Sequence, residues 1–191
     1  LYFAGVQDDS IYICHALSGE ILKVVGSNSP VLLTSWTDEN LYYLENDGKG
    51  IYSLCMLENQ EKQGLSTPRI IKTMKGPRGN ETIICGIKIG NEIMCGSKSG
   101  AVYKTTCDPE TQTIVFPLLT ENTYDKILDM SPIGEDFYFL TRNSVYKSSY
   151  DTGLVNRLGD NPGQTKLISY GDKLIMWSKG TRESVLLYDY S

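Results

Sequence analysis

One histidine, five cysteines and a scatter of acids in turn-like segments are the groups with which this 191-residue chain could do chemistry. His15 is the only histidine, so a Ser/His/Asp or Cys/His nucleophile system, or a multi-histidine metal site, would have to be built around it alone. It follows Cys14 just past an Ile11-Tyr12 strand pattern, a place that suits a structural or exposed imidazole better than a catalytic one. Cys14, Cys55, Cys85, Cys95 and Cys107 are odd in number and have no CxxC spacing, which matches neither a zinc site nor a disulfide framework. Cys85 and Cys95 flank a turn around Gly90, and a three-residue loop there would set 85 opposite 95 and allow a cross-strand disulfide. The competing reading treats them as small buried apolar side chains, since Cys14, Cys55 and Cys107 recur near the ends of equivalent strands, where core-lining residues belong.

The acids point the same way. Asp8-Asp9 and Asn46-Asp47 offer oxygens to a cation such as Ca²⁺, but their spacing fits neither an EF-hand nor a nonapeptide loop, and Asp, Asn and Gly are what tight turns demand. No cofactor and no metal site are expected. Asn80-Glu81-Thr82 is a glycosylation sequon, which makes Asn80 a candidate modification site and tilts the reading toward an extracellular or cell-surface protein. No combination of residues reaches the level of a catalytic constellation.

A net charge of −5 leaves no electrostatic footprint for nucleic acid or an anionic membrane surface, so neither is expected as a partner. No stretch approaches the ~20 apolar residues of a membrane span, and the start of the chain lacks a basic segment followed by an apolar run. The expected product is a soluble domain, or one whose flanking segments have been cut away. Hydrophobic residues at 40% and charged residues at 21% are those of a globular chain, and the thirteen Tyr favour pleated, half-buried surfaces over helices.

The elements that position these groups show themselves as a repeat. A short apolar strand, a polar turn and a second strand marked by Tyr recur five times, at Leu1–Ala4 with Ile11-Tyr12, Leu41–Leu44 with Ile51-Tyr52, Ile93–Gly96 with Val102-Tyr103, Phe137–Leu140 with Val145-Tyr146, and Leu174–Trp177 with Leu187-Tyr188. This also makes Leu1–Gly5 a native strand, although Leu-Tyr-Phe-Ala-Gly resembles the remnant of a cleavable tag. The spacing of about 40 to 50 residues is that of propeller blades. Further β-rich runs precede each later unit (Val31–Thr34, Thr82–Cys85, Lys126–Asp129, Lys166–Ser169) or follow the Tyr strand (Ile21–Val25, Ile70–Met74, Ile114–Leu118, Leu154–Leu158). Each unit is thus predicted as four antiparallel strands. The fold expected is all-β, a single β-propeller domain over 1–191 or a large fragment of one, with about four and a half blades starting near 1, 30, 81, 126 and 165. A β-sandwich is the alternative. Because the first unit lacks its first strand and the last lacks its fourth, the chain reads as part of something longer, a five- or six-bladed ring being favoured.

The segment Leu41-Tyr42-Tyr43-Leu44-Glu45-Asn46-Asp47-Gly48-Lys49-Gly50-Ile51-Tyr52 resembles blades of the YWTD class, the propellers of low-density-lipoprotein-receptor type. Ser148–Gly153 stands where that class commonly has a Leu-Asp-Gly turn. The resemblance implies a propeller; the matching positions in the other blades read Ile-Met-Cys-Gly, Phe-Tyr-Phe-Leu and Leu-Ile-Met-Trp.

A repeated scaffold with variable loops and no convergent catalytic groups predicts a non-enzymatic binding module for a protein or glycan partner. Two alternatives are a structural segment of a larger cell-surface or cytoskeletal assembly, its missing strands supplied by flanking sequence or another chain, and a six-bladed-propeller hydrolase with acids around a central ion. By loop position, Asp47, Lys75, Arg78, Tyr124 and Asp160 are the binding candidates. The polar insertion Glu58–Pro68 is either a partner-binding loop or a surface extension.

Overall fold

A computed structural model describes residues 2–7, 10–15, 17–26, 31–37, 40–60, 64–65, 68–77, 81–106, 118–120, 125–171, 173–178 and 186–189. Its contacts divide the chain into two compact units, residues 1–76 with 106–115, and 77–105 with 116–191.

In the first unit, β1 (Tyr2–Gln7), β2 (Ser10–His15) and β3 (Ile21–Gly26) form a three-stranded antiparallel sheet. Next come β4 (Val31–Thr37), β5 (Asn40–Asn46) and β6 (Ile51–Leu57), a two-stranded ribbon of β7 (Asn59–Gln60) and β8 (Gly64–Leu65), and β9 (Arg69–Lys75). Strands β4, β5, β6 and β9 pair in that order as a four-stranded sheet. The insertion 58–68 therefore contributes its own hairpin, outside the sheet it interrupts.

The second unit repeats the arrangement. β10 (Ile83–Ile89), β11 (Glu92–Ser97), β12 (Val102–Thr106) and β13 (Leu118–Thr120) make one four-stranded sheet, and β14 (Ile127–Ile133), β15 (Asp136–Thr141), β16 (Ser144–Ser149) and β17 (Val155–Asp160) make the next. The last sheet has β18 (Lys166–Tyr170), β19 (Lys173–Trp177) and β20 (Leu186–Asp189). The fourth strand expected at 114–118 lies almost wholly outside the described residues; the strand seen there is β13. Strands β10, β14 and β18, each the first of its sheet, run against one another in succession.

Period-2 alternation explains why the sheets stack. A strand apolar on both faces must be covered on both, and within the second unit the β14–β17 sheet offers one face to the sheet before it and one to the sheet after. In the first unit Ile11, Ile13 and Val25 of one sheet bury against Leu41, Tyr43, Cys55 and Leu57 of the next. In the second unit Cys85, Ile87, Met94 and Val102 meet Ile127, Met130, Phe137 and Phe139. Tyr138, Leu140 and Val145, on the opposite face of that middle sheet, then meet Leu167, Leu174 and Met176. Phe139 and Tyr146 stack with centroids 5.1 Å apart.

Where sheets approach closely, glycine makes the room. A Cβ on Gly96 would stand 2.7 Å from Ile127 Cγ2 and 2.9 Å from Cys85 Sγ. Gly153, at φ +67°, would put a Cβ 2.3 Å from the Leu119 carbonyl oxygen, so both backbone conformation and space require glycine there.

The Cys85–Cys95 alignment is corrected by the turn. Gly90-Asn91 is a two-residue connection with Ile89 opposite Glu92, so Cys85 faces Gly96 and Cys95 faces Gly86, one position out of register. Cys14, Cys55, Cys85 and Cys95 are all buried free thiols; Cys107 lies outside the described residues.

Candidate interaction surface

Antiparallel pairing brings the turn between second and third strands to the same end of a sheet as the exit from its fourth strand. In the first unit this end carries Asp47 and Lys75. Ile51 pairs with Lys75, and the Gly76 N–H donates to the Gly50 carbonyl at 2.8 Å. Both side chains are exposed. Asp47 Oδ1 accepts the N–H of Lys49 at 2.7 Å and of Ile51 at 2.9 Å, while Asn46 Oδ1 accepts that of Gly48 at 2.9 Å. The Ile51 and Lys49 amides hold the Asp47 carboxyl below its ordinary range. The Asn-Asp pair thus spends its oxygens on shaping the turn. Asp8 and Asp9 fall outside the described residues.

In the second unit the same end is tied together by acids that lead its first two sheets. Glu81 Oε1 accepts the Ser99 N–H at 3.2 Å, its other oxygen takes the Ser99 hydroxyl, and Ser97 Oγ lies 3.2 Å from Ser99 Oγ. Asp125 Oδ2 accepts the Asn143 N–H at 3.2 Å and its side-chain amide at 3.0 Å. In both cases an acid two residues ahead of a first strand caps a turn residue 18 positions later. That constant offset is a signal in the sequence which composition and motif reading pass over.

Asn161 joins two sheets at this end. Its Nδ2 donates to the carbonyls of Thr141 at 2.7 Å and Gln164 at 2.8 Å, its Oδ1 accepts the Gly163 and Gln164 amides, and its own N–H donates to the Asn143 carbonyl at 2.9 Å. Asp160, exposed, pairs with the Arg157 guanidinium, whose Nε donates to Ser144 Oγ at 2.9 Å. The result is a fixed polar surface of carboxylates, amides and a guanidinium on short turns, suited to hydrogen-bonded recognition of a surface. Of the other expected binding residues, Arg78, Tyr124 and the sequon residue Asn80 lie outside the described residues.

No nucleophile–base pair of catalytic form emerges from the described groups. His15 Nδ1 lies 3.1 Å from Ser18 Oγ, but Ser18 Oγ also accepts the Glu20 N–H, and the Gly19 N–H donates to the His15 carbonyl, so the contact closes a turn. The Cys55 thiol donates to Glu45 at 3.2 Å, and burial with that carboxylate pushes it up to about 12; burial also raises the neighbouring Tyr43 hydroxyl. Burial likewise pushes Cys85 up to about 12. Thiols so protonated are poor nucleophiles and poor metal ligands. Among the described residues, no group of three or more His, Cys, Asp or Glu is placed to hold a metal ion, and no helix is long and apolar enough to cross a membrane.

No family model matches the chain, and no curated protein matches its sequence. Solved structures do match in shape. The computationally designed Ika4 protein superposes with a TM-score of 0.57 at 14% identity, over 87% of this chain and 94% of its own. Kluyveromyces lactis Hsv2p gives 0.53 at 11% identity, over 93% of this chain and 55% of that one. The Neurospora crassa Pan2 WD40 domain gives 0.54 at 12% identity, over 94% and 58%. The chain therefore spans a little over half the length of the two natural structures. Identities this low speak for architecture alone, and together with the stacked four-stranded sheets they make this an all-β chain with the β-propeller fold.

Proposed function

We propose that the chain is a non-enzymatic binding module, one propeller domain or part of one across 1–191, that presents its second-to-third-strand turns and fourth-strand exits to a protein partner. The observation that carries this is the end of each sheet described above. Asp47 and Asn143 stand on turns held by side-chain hydrogen bonds, and Lys75 and Asp160 close the fourth strands beside them, so polar groups are displayed at little ordering cost. Propellers of the WD40 type, to which the fold is similar, are typically protein-interaction scaffolds, and this supports a protein as the partner.

Two finer readings belong to the same proposal. The Tyr-marked strands and the Leu41–Tyr52 segment support kinship with the YWTD class. With the Asn80 sequon, they favour an extracellular or cell-surface setting and leave a glycan as the second kind of ligand. Arg78 and Tyr124 complete the candidate set by loop position.

Charge reversal tests the proposal. Asp47→Lys, Lys75→Glu and Asp160→Lys, each exposed and each leaving the core untouched, are expected to weaken capture of a partner at least tenfold in a quantitative pull-down. Unchanged capture by all three would remove this end of the sheets from the interface.

A further inference from the structure

Charge is divided between the two ends of the sheets, in opposite senses. At the polar end of the second unit the acids are committed. Glu81 accepts the Ser99 N–H and hydroxyl, Asp125 accepts the Asn143 N–H and side-chain amide, and Asp160 pairs with Arg157. Lys98 and Arg142, which precede Ser99 and Asn143 on the same two turns, are exposed, and neither side chain enters an ion pair or hydrogen bond among the described residues. At the opposite end of these sheets it is the cations that are committed. Lys104 pairs with Glu92 at 2.9 Å, Lys147 pairs with Asp136 at 2.8 Å, and Lys88 Nζ donates to the Gly90 carbonyl at 2.6 Å. Glu135 and Asp151, exposed there, belong to no ion pair among the described residues.

The first unit, taken by itself, has the same division. Lys49 and Lys75 are exposed at its polar end, where the Asp47 carboxylate is held by the Lys49 and Ile51 amides. At its other end Arg69 pairs with Glu58 at 2.8 Å, and Glu20 is exposed. In the second unit the packing of the sheets makes Lys98 and Arg142 neighbours. Gly96, two residues before Lys98, lies so close to Ile127 that a Cβ would stand 2.7 Å from its Cγ2, and Ile127 pairs with Thr141, the residue before Arg142. Sheets packed face to face stand about 10 Å apart, so the two cations are offered at about the span of three residues of extended chain.

Resting on the interaction surface proposed above, we infer that what seats there is an acidic segment of the partner protein, extended, with carboxylates about three residues apart meeting Lys98 and Arg142. Physiological salt screens charge beyond about 8 Å, so these cations act locally although the chain as a whole carries −5. A nucleic acid or an anionic bilayer fits less well. Each is a polyanion wider than the patch, and the turns 97–100 and 141–144 hold no aromatic ring on which a base could stack. The losses expected above for Asp47→Lys and Asp160→Lys come from the turn that Asp47 pins and from the Arg157 guanidinium that Asp160 seats beside Ser144, not from the sign of the new charge.

The test is fluorescence anisotropy of a labelled peptide with Glu at every third position between Gly and Ser, titrated with the 1–191 chain, with circular dichroism as the control for folding. Binding is expected, and it should weaken about tenfold when Lys98→Gln and Arg142→Gln are combined, and again as salt rises from about 50 to about 300 mM. Thr152→Asp with Asn156→Asp makes the same change in net charge toward the other end of the β14–β17 sheet, and should leave the affinity within about twofold. A Glu peptide that does not bind, equal losses in the two paired variants, or tighter binding of single-stranded RNA or of phosphatidylserine vesicles would each overturn the inference. Should the peptide fail while the pull-down still responds to the three charge reversals, the surface stands and its acidic ligand falls. A pull-down indifferent to all three removes both.

Discussion

The carboxylate of Asp129, on the first strand of its sheet, accepts the backbone N–H of Leu167, on the first strand of the next, at 3.0 Å. Two residues along each strand, Ser131 Oγ accepts the Ser169 N–H at 2.7 Å. Side chains of one sheet thus complete the backbone hydrogen bonding of another, and this lateral ladder holds adjacent first strands in a fixed register. Burial raises the Asp129 carboxyl above its ordinary range, against the pull of Lys166 at 3.7 Å and of the Leu167 and Met130 amides, with Cys85 also near it. A raised folded pKa means that folding favours the protonated acid. Its contribution is full below the unfolded value of about 4 and is lost as pH rises through the raised folded value. Asp129→Asn, which keeps an acceptor for Leu167, should gain stability relative to wild type as pH rises above about 4, while Asp129→Leu should cost about 1–3 kcal/mol by orphaning that amide. Urea midpoints between pH 3 and 7 check both, and a pH-independent difference for Asp129→Asn would contradict the assignment.

Gly96 should be intolerant of even one methyl group. An added Cβ meets Ile127 of the next sheet and Cys85 of its own strand pair, and the overpacking should cost about 1–3 kcal/mol for Gly96→Ala in chemical denaturation. A neutral substitution would mean that these two sheets do not pack this closely.

The thiols should be silent in the native protein. Cys14, Cys55, Cys85 and Cys95 are buried and free, and Cys55 and Cys85 are held protonated to about pH 12. A maleimide probe at pH 7 should label none of the four before unfolding and all four after it, by peptide mass spectrometry. A Cys85–Cys95 disulfide in that experiment would restore the register that the two-residue turn excludes.

The strand pattern was legible because Tyr and β-branched residues alternate between polar turns, and the order of four strands could be read from five Tyr-marked repeats. Register was not. The first-to-second-strand pairing slips at Val31/Leu33, Ile83/Cys85 and Ile127/Asp129, and the third-to-fourth slips at Leu54/Cys55, Val102/Tyr103 and Val145/Tyr146. These bulges serve sheet twist, a property of the assembled sheet with no residue signature of its own. The paired strands 59–60 and 64–65 carry no sequence signal, because two residues are too few to show a period. At the polar end, Asp47, Lys75 and Asp160 were found by loop position. Asp125, Asn143 and Asn161 were missed, since their partners lie about 20 residues away and only folding brings them together.

The most direct measurement for the proposed interface is photo-cross-linking from single sites on opposite ends of the sheets. A benzoylphenylalanine placed at Lys49, Lys75 or Asp160 samples the polar end, and one at Gly19, Asn91 or Glu135 samples the other. Adducts with a partner protein from the first set alone are the predicted result. Adducts from the second set alone would contradict the account.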